Sequence, residues 1–417
     1  MRQQYKVLLI VSLIFMLKFF SYQGLDNSVS NPFQMIGAMV FVYYAFVNRR
    51  SRLARKGQFY MPIVMFLVSV FISDIPCFFF HDQSILNTLV GQRAFYCYFL
   101  YFFLYHIDAD QKFMLSAFKF LFFCALAVNT IDVIFIHNPP FEWRVDDRRD
   151  SVSIFYYGRG FTILGCFYCL SEFLKTKKIL YLVLYLLCAA YCFMVVSRML
   201  TAGIAVGSGW IFLRFSKKSI ANFAIIIVVL IVIGVIGVFY ADKIVGSMLD
   251  VSQKQISNSQ DDVRVNAYRF FFTKYQVNSF TMLFGNGVPY DSDYETWSDT
   301  VRTVNAARIG DVGLVGVWVY FGVFAVLSWI IIFSKMFFKK CNDNQLFIRA
   351  YFVTVLAEAF TGFATHNPEI MPTTIFALFW FERLGPQPMF AKVVKKLKRR
   401  PAEWRVQNTD EKLLQEN

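Results

Sequence analysis

Apolar residues run along this chain in long blocks, broken by short clusters of charge or by Gly, Pro, Asn and Asp. Many blocks approach the roughly 20 residues that a helix needs to cross a hydrocarbon core of about 30 Å. Twelve can be read, at about 5–22, 33–48, 60–80, 85–105, 113–136, 154–174, 179–196, 199–215, 221–240, 311–333, 346–365 and 370–384. The pattern predicts an all-α, polytopic integral membrane protein of about 12 transmembrane helices. Its regions are a nine-helix part at 1–240, a large hydrophilic loop at 241–310, a three-helix part at 311–384 and a basic tail at 385–417. The second block is short, and only Ser197 and Arg198 separate the blocks at 179–196 and 199–215. The first block has no small-residue cleavage site and ends in Lys18 and Tyr22, a poor fit to a cleavable signal peptide.

Composition agrees with this pattern and removes other classes. Of 417 residues, 57% are hydrophobic and 17% charged, against about 25% charged in ordinary soluble proteins. A soluble enzyme, a disordered chain and a disulfide-rich secreted module are excluded. The net charge of +14 would suit a nucleic-acid partner until its positions are considered. With an inside N-terminus, and residues in the end turns counted with the adjoining loop, inner segments hold 27 Lys+Arg against 8 Asp+Glu. Outer segments hold 11 against 16. Cytoplasmic loops retain Lys and Arg, so the charge reports topology: both termini are expected inside, and no nucleic-acid partner is implied. All eight cysteines except Cys341 fall in apolar blocks, and a small buried hydrophobe is the expected role of Cys166, Cys169, Cys188 and Cys192. No zinc, phosphate-loop or GxSxG motif is present, and no metal or other cofactor is expected.

Chemistry on the outer side has two long segments to draw on, 137–153 and 241–310. Connections longer than about 15 residues tend to be functional or disordered. The second contains DDVRVNAYRFFFTKYQVNSF, a helical pattern with Arg264 and Tyr268 on its polar face, then FGNG at 284–287 and the acidic run DSDYETWSD. It reads either as a site or as a solvated structural loop. Tyr268, Tyr290, Tyr294 and Trp297 either stack on sugars or anchor at the interface. The arginines carry more information: Arg93, Arg159 and Arg198 sit in or beside apolar blocks, and with Arg264 of the loop they lie on a side that is otherwise net negative. A charge deep in a span costs about 2.5–3.5 kcal/mol on insertion scales, so such a residue faces protein, water or a ligand. Each either pairs with Asp74, Asp132, Glu172 or Glu358 across helices, or joins a cluster able to hold phosphate oxygens bidentately.

At these residues the chain resembles the O-antigen and capsule polymerase / O-antigen ligase superfamily, over about 155–215 and 260–325. GRGFTILG is similar to its arginine-plus-small-residue span, SRMLTAG to its Ser-Arg span entry, and DDVRVNAYRFFF with FGNG to its amphipathic loop helix and glycine turn. GDVGLVGVWVYFG is similar to its Gly-Leu-x-Gly entry to the following span. The resemblance implies a GT-C-like membrane fold with one large periplasmic loop, and transfer of glycan from undecaprenyl pyrophosphate to a sugar hydroxyl without a sugar nucleotide or metal. It implies pyrophosphate contacts at Arg159, Arg198 and Arg264, with Arg93 matching by position only. The implied partners are lipid-linked glycan donor and acceptor, membrane lipid, and a chain-length regulator protein as a candidate.

The ligase branch carries a His-Asn or His-Ser about ten residues before Gly-Leu-x-Gly, where this chain has RTVNAARIGDVG. That absence favours a polymerase and leaves the general base open. Asp311 is the first candidate, although it reads equally as the N-cap of the span that follows, and His366 of the outer His366–Asn367 pair is the second. The expected activity is a metal-independent, lipid-pyrophosphate-dependent glycosyltransferase of the bacterial inner membrane, polymerising the repeat units of a lipopolysaccharide, capsule or exopolysaccharide. A ligase that moves polymer to a lipid or protein acceptor is the first alternative. A polysaccharide transporter or flippase is the second, kept open by Asp132 and Glu358 inside spans.

Overall fold

The computed structural model describes residues 3–21, 27–47, 54–55, 57–135, 140–141, 158–194, 197–216, 263–305, 307–361, 365 and 367–385. Among them every regular element is a helix. The expected span at 221–240, the start of the large loop and the tail from 386 lie outside the described residues, as do most of 137–153 and the His366 candidate.

The first two helices, α1 (Gln3–Met16) and α2 (Asn27–Val47), run antiparallel, with Gly37 close against the Ser12 carbonyl. Next, α3 (Tyr60–Ile72) continues through Ser73 into α4 (Asp74–His81). The return path is α5 (Ile85–Gly91), a 3-10 stretch Gln92–Phe99 and α6 (Leu100–His106). Then come α7 (Gln111–Ile134), α8 (Arg159–Thr176), α9 (Ile179–Met194) and α10 (Arg198–Ser216). The large loop contributes α11 (Val263–Thr273), α12 (Ser279–Phe284) and α13 (Asp293–Val304). Three further helices complete the described chain: α14 (Leu314–Phe338), α15 (Leu346–Thr361) and α16 (Met371–Leu384).

Four of these stretches, Tyr60–His81, Gln111–Ile134, Met199–Ser216 and Leu314–Phe338, are long and apolar enough to cross a membrane. Their unburied faces are also apolar: Val323, Phe324, Leu327 and Ile330 of α14 are exposed while Phe321, Ala325, Trp329 and Ile332 are buried. A helix with an apolar exposed face suits lipid as its outer solvent, so the described helices are those of a helical membrane protein. Several of the other expected spans are shorter or broken. The 14 residues of α1 rise only about 21 Å, and the 85–105 block is three pieces. In that block Gln92 turns inward, its Nε2 donating to the Val70 carbonyl, Ser73 Oγ and Asp74 Oδ1 at 3.1, 3.1 and 2.8 Å.

Side-chain contacts sort the helix ends into two groups. At one end Glu382 accepts hydrogen bonds from Phe59 N, Tyr101 OH and Tyr105 OH, Lys335 donates to the Gln58 carbonyl, and Arg383 pairs with Asp108 at 2.8 Å. The opposite end carries Lys18, Gln83, Arg93, Arg159, Glu369 and the helices of the large loop.

A break in α14 holds that loop in place. Gly322 adopts φ +77° and ψ −173° inside α14, which frees carbonyls that a continuous helix would bond. Two backbone N–H groups of the FGNG turn take them: Asn286 N donates to Val319 O and Gly287 N to Tyr320 O, both at 2.9 Å. Within a membrane such a break survives where another segment satisfies the freed groups. The approach is close, since a Cβ on Gly322 would lie 2.1 Å from the Leu283 carbonyl and one on Gly285 2.2 Å from that of Tyr320. Both glycines have positive φ, which L side chains rarely adopt.

Candidate functional site

The start of α8 is built by its glycines. Gly158 caps the helix at φ +73°, packed on Phe19 and Ala125, and Gly160 packs on Thr373 of α16 and the Glu369 carbonyl. Arg159 between them is buried, and its Nη2 donates to Glu358 Oε1 of α15 at 2.7 Å. The cross-helix ion pair raised as an alternative for this arginine is therefore present, with Glu358 as its partner. A low-dielectric pair of this kind fixes geometry more reliably than it adds net stability.

Glu369 occupies the turn between α15 and α16. Asn367 shapes that turn: its Oδ1 accepts from Glu369 N at 2.8 Å, and its carbonyl accepts from Ile370 N and Met371 N. Burial pushes the Glu369 carboxyl up to about 8, against the opposing pull of Arg159 and Lys18. Its Oε2 is buried with no hydrogen-bond partner among the described residues.

Lys18 follows α1 in a turn at φ +54° and donates to Ser30 Oγ and Asn31 Oδ1 of α2 at 3.3 and 3.2 Å. Both Arg93 and Glu369 lie within its electrostatic reach. Arg93 donates to the Val90 carbonyl at 2.9 Å and sits over the Tyr290 ring, 5.3 Å from its centroid. Among the described residues neither Lys18 nor Arg93 forms an ion pair. Arg93 Nε, Arg159 Nε, Thr365 Oγ1 and Thr373 Oγ1 are further buried atoms at this end without a partner among the described residues. Buried polar atoms are normally satisfied by protein, water or ligand. Orphans also occur elsewhere in the bundle, at Arg349 Nε, Arg383 Nε and Trp380 Nε1, and those at this end lie beside these unpaired cations, which leaves room for water or an anionic guest.

The loop helices close over this end. Tyr290 N and Ser292 Oγ both donate to Gln83 Oε1, at 2.9 and 2.6 Å, while Gln83 Nε2 donates to the Val288 carbonyl at 2.9 Å. Tyr268 OH donates to the Phe360 carbonyl at the end of α15. Arg264, one helical turn before it, is exposed. Trp297 belongs to a separate aromatic group with Tyr275, Tyr294 and His81, in which the His81 and Tyr294 rings stack at 3.9 Å. Asp311 ends a 3-10 turn (Ile309–Asp311), its N–H donating to the Arg308 carbonyl at 3.0 Å. It is not the N-cap of α14; that position is Gly313.

No protein-family model matches this chain, and no curated protein matches it.

Of the residues singled out in the sequence, Arg93, Arg159 and Tyr290 come together with Lys18 and Glu369. Tyr268 and Arg264 approach from α11, and Trp297 stands apart. Arg198 opens α10, with its side chain outside the described residues. Sequence reasoning missed Lys18 and Glu369. Lys18 is a lone cation near the end of an apolar block, and Glu369 sits in a turn flanked by Pro368 and Pro372 too short to solvate it freely. Those were the available signals.

Lys18, Arg93 and Arg159 stand against Glu358 and Glu369, so the group carries more positive than negative charge even with both carboxyls ionised. Its spare cations are suited to a phosphate, and its one unpaired carboxyl is suited to moving a proton.

Proposed function

We propose that the chain is a polysaccharide polymerase of the bacterial inner membrane. It would join oligosaccharide repeat units linked to undecaprenyl pyrophosphate at the periplasmic face, within a GT-C-like fold of about twelve spans whose termini are both cytoplasmic. The observation that carries this reading is the cationic, incompletely satisfied cluster of Lys18, Arg93, Arg159 and Glu369 at one end of an apolar bundle. The sequence resemblance supplies the substrate class.

In this reading Lys18 and Arg93 hold the donor pyrophosphate. Arg159 is largely neutralised by Glu358, and its neighbour Gly160 packs against the carbonyl of the Glu369 turn. An acceptor hydroxyl attacks the anomeric carbon, and the bond from that carbon to the pyrophosphate oxygen breaks with its electrons. Negative charge grows on the leaving group, so cations fixed beside it lower the barrier. Asp311 and His366 remain alternative proton acceptors, and Arg198 and Arg264 further phosphate contacts.

A transporter draws less support. The two span carboxylates that kept it open, Glu358 and Asp132, both have partners: Glu358 has Arg159, and Asp132 Oδ1 accepts from Phe141 N at 2.9 Å. A ligase would use the same cations.

Arg93→Ala and Lys18→Ala, each expressed in the native host, test the reading on a gel of surface glycan. A charge-assisted hydrogen bond contributes about 1.5–3 kcal/mol, so each variant should slow polymerisation roughly 10- to 100-fold. The gel should then show single repeat units in place of a ladder. A normal ladder from both variants overturns the proposal. Polymer accumulating on the carrier lipid indicates a ligase, and repeat units held on the inner leaflet indicate a flippase.

A further inference from the structure

Among the described residues Glu369 is the carboxylate of the cluster with a buried oxygen that has no hydrogen-bond partner. Glu358 is engaged by Arg159 at 2.7 Å, whereas Glu369 Oε2 is buried and bare among the described residues. The Glu369 backbone is fixed on two sides. Asn367 holds its N–H, and its carbonyl lies against Gly160 in the first turn of α8. The unused oxygen is thus carried by a hydrogen-bonded turn between two helices and has no other partner among the described residues.

Resting on the polymerase reading, we propose that Glu369 is the residue that takes the proton from the attacking sugar hydroxyl. As the acceptor O–H bond breaks, its electrons form the new glycosidic bond to the anomeric carbon. The proton passes to Glu369 Oε2, and the pyrophosphate departs with the electrons of its former bond to that carbon. Glu369 then returns the proton to water. The step needs no oxidant, metal or further reactant.

The electrostatics suit this role. Burial raises the Glu369 carboxyl to about 8, and a general base works best when its affinity for protons is near the working pH. The groups facing it are Arg159 on α8, Glu358 on α15 through that arginine, and Lys18 after α1, with Arg93 of the 3-10 stretch beyond Lys18. Glu369 must be ionised to accept a proton, so kcat/KM should rise with pH toward about 8. Burial also lowers the Lys18 ammonium to about 8, so wild type falls again above that pH and only Lys18→Arg levels off.

The test uses full-length protein in liposomes with lipid-linked repeat units extracted from the membranes of a host strain deleted for this gene. Wild type, Glu369→Gln, Glu369→Asp and Lys18→Arg are compared from pH 6 to pH 9. Loss of a general base costs roughly 100- to 10,000-fold, so Glu369→Gln should lose that much in kcat with KM little changed, and its rising limb should vanish. Lys18→Arg keeps a permanent charge and should keep the limb, which assigns it to Glu369. If Glu369→Gln retains the wild-type rate and limb, the proposal is overturned. If Glu369→Gln does not insert, Glu369→Asp decides: a slower rate with a displaced limb supports the role, and an unchanged rate and limb rejects it. Wild-type protein that elongates nothing from the extract removes the polymerase reading itself, and is distinguishable from failure of Glu369 alone.

Discussion

Arg159→Leu should lower the unfolding free energy by about 3–5 kcal/mol, because it strands Glu358 as an uncompensated buried carboxylate. The cost comes from the charge left behind and not from the loss of a strong attraction. Replacing a buried pair by apolar groups of similar volume is often neutral or stabilising. The double variant Arg159→Leu with Glu358→Leu should therefore recover most of the loss. Thermal unfolding in detergent can be followed with a thiol-reactive dye, since Cys77, Cys97, Cys166, Cys169, Cys188 and Cys192 are all buried in the folded protein. A single variant as stable as wild type, or a double variant no better than the single, would contradict the ion-pair account.

The second large effect is expected at the helix break. Gly322→Ala places a Cβ 2.1 Å from the Leu283 carbonyl at a position with φ +77°. The strained conformation alone costs about 1–3 kcal/mol, and relieving the overlap means parting α12 from α14. The bonds from Asn286 N to Val319 O and from Gly287 N to Tyr320 O should then be lost together. The FGNG turn would lift from Cys77, against which Gly287 packs. A maleimide added to intact protein should label Cys77 in this variant and not in wild type, while Cys166 and Cys169 stay protected. Gly209→Ala is the control. Nothing lies within 4 Å of the added Cβ, and a helical Ala is favoured over Gly by about 0.5–1 kcal/mol. Equal Cys77 labelling in the two variants would rule out the docked turn.

Both effects depend on contacts between distant parts of the chain, and this is where the sequence stops being readable. The block expected at 60–80 is Tyr60–His81, and the block at 113–136 is Gln111–Ile134, capped by Asp110, whose side chain accepts from Phe113 N. Those elements are set by local hydrophobic length and an N-cap, both visible in order along the chain. The 85–105 block failed as one helix because Gln92 bonds to groups 18 to 22 residues away. FGNG was legible as a turn, but not as the partner of a break more than thirty residues later.

The site divides in the same way. Arg93 and Arg159 stood out as charges in apolar surroundings, and their surroundings are indeed protein. Arg159 could not be separated in advance from a structural pair, because its partner Glu358 is 199 residues away. Glu369 looked like one more acidic residue in an outer connection. Its burial follows from Asn367 folding the turn onto α8, which no spacing rule encodes.

The central claim is that this membrane protein elongates a lipid-linked glycan. Purified wild-type protein in liposomes, given only the lipid-linked repeat units of the deleted strain, tests it most directly by mass analysis of the lipid products. The account predicts carrier lipids bearing two, three and more repeat units, with one free undecaprenyl pyrophosphate released for each bond formed. Repeat units that remain single, with no carrier released, would contradict it.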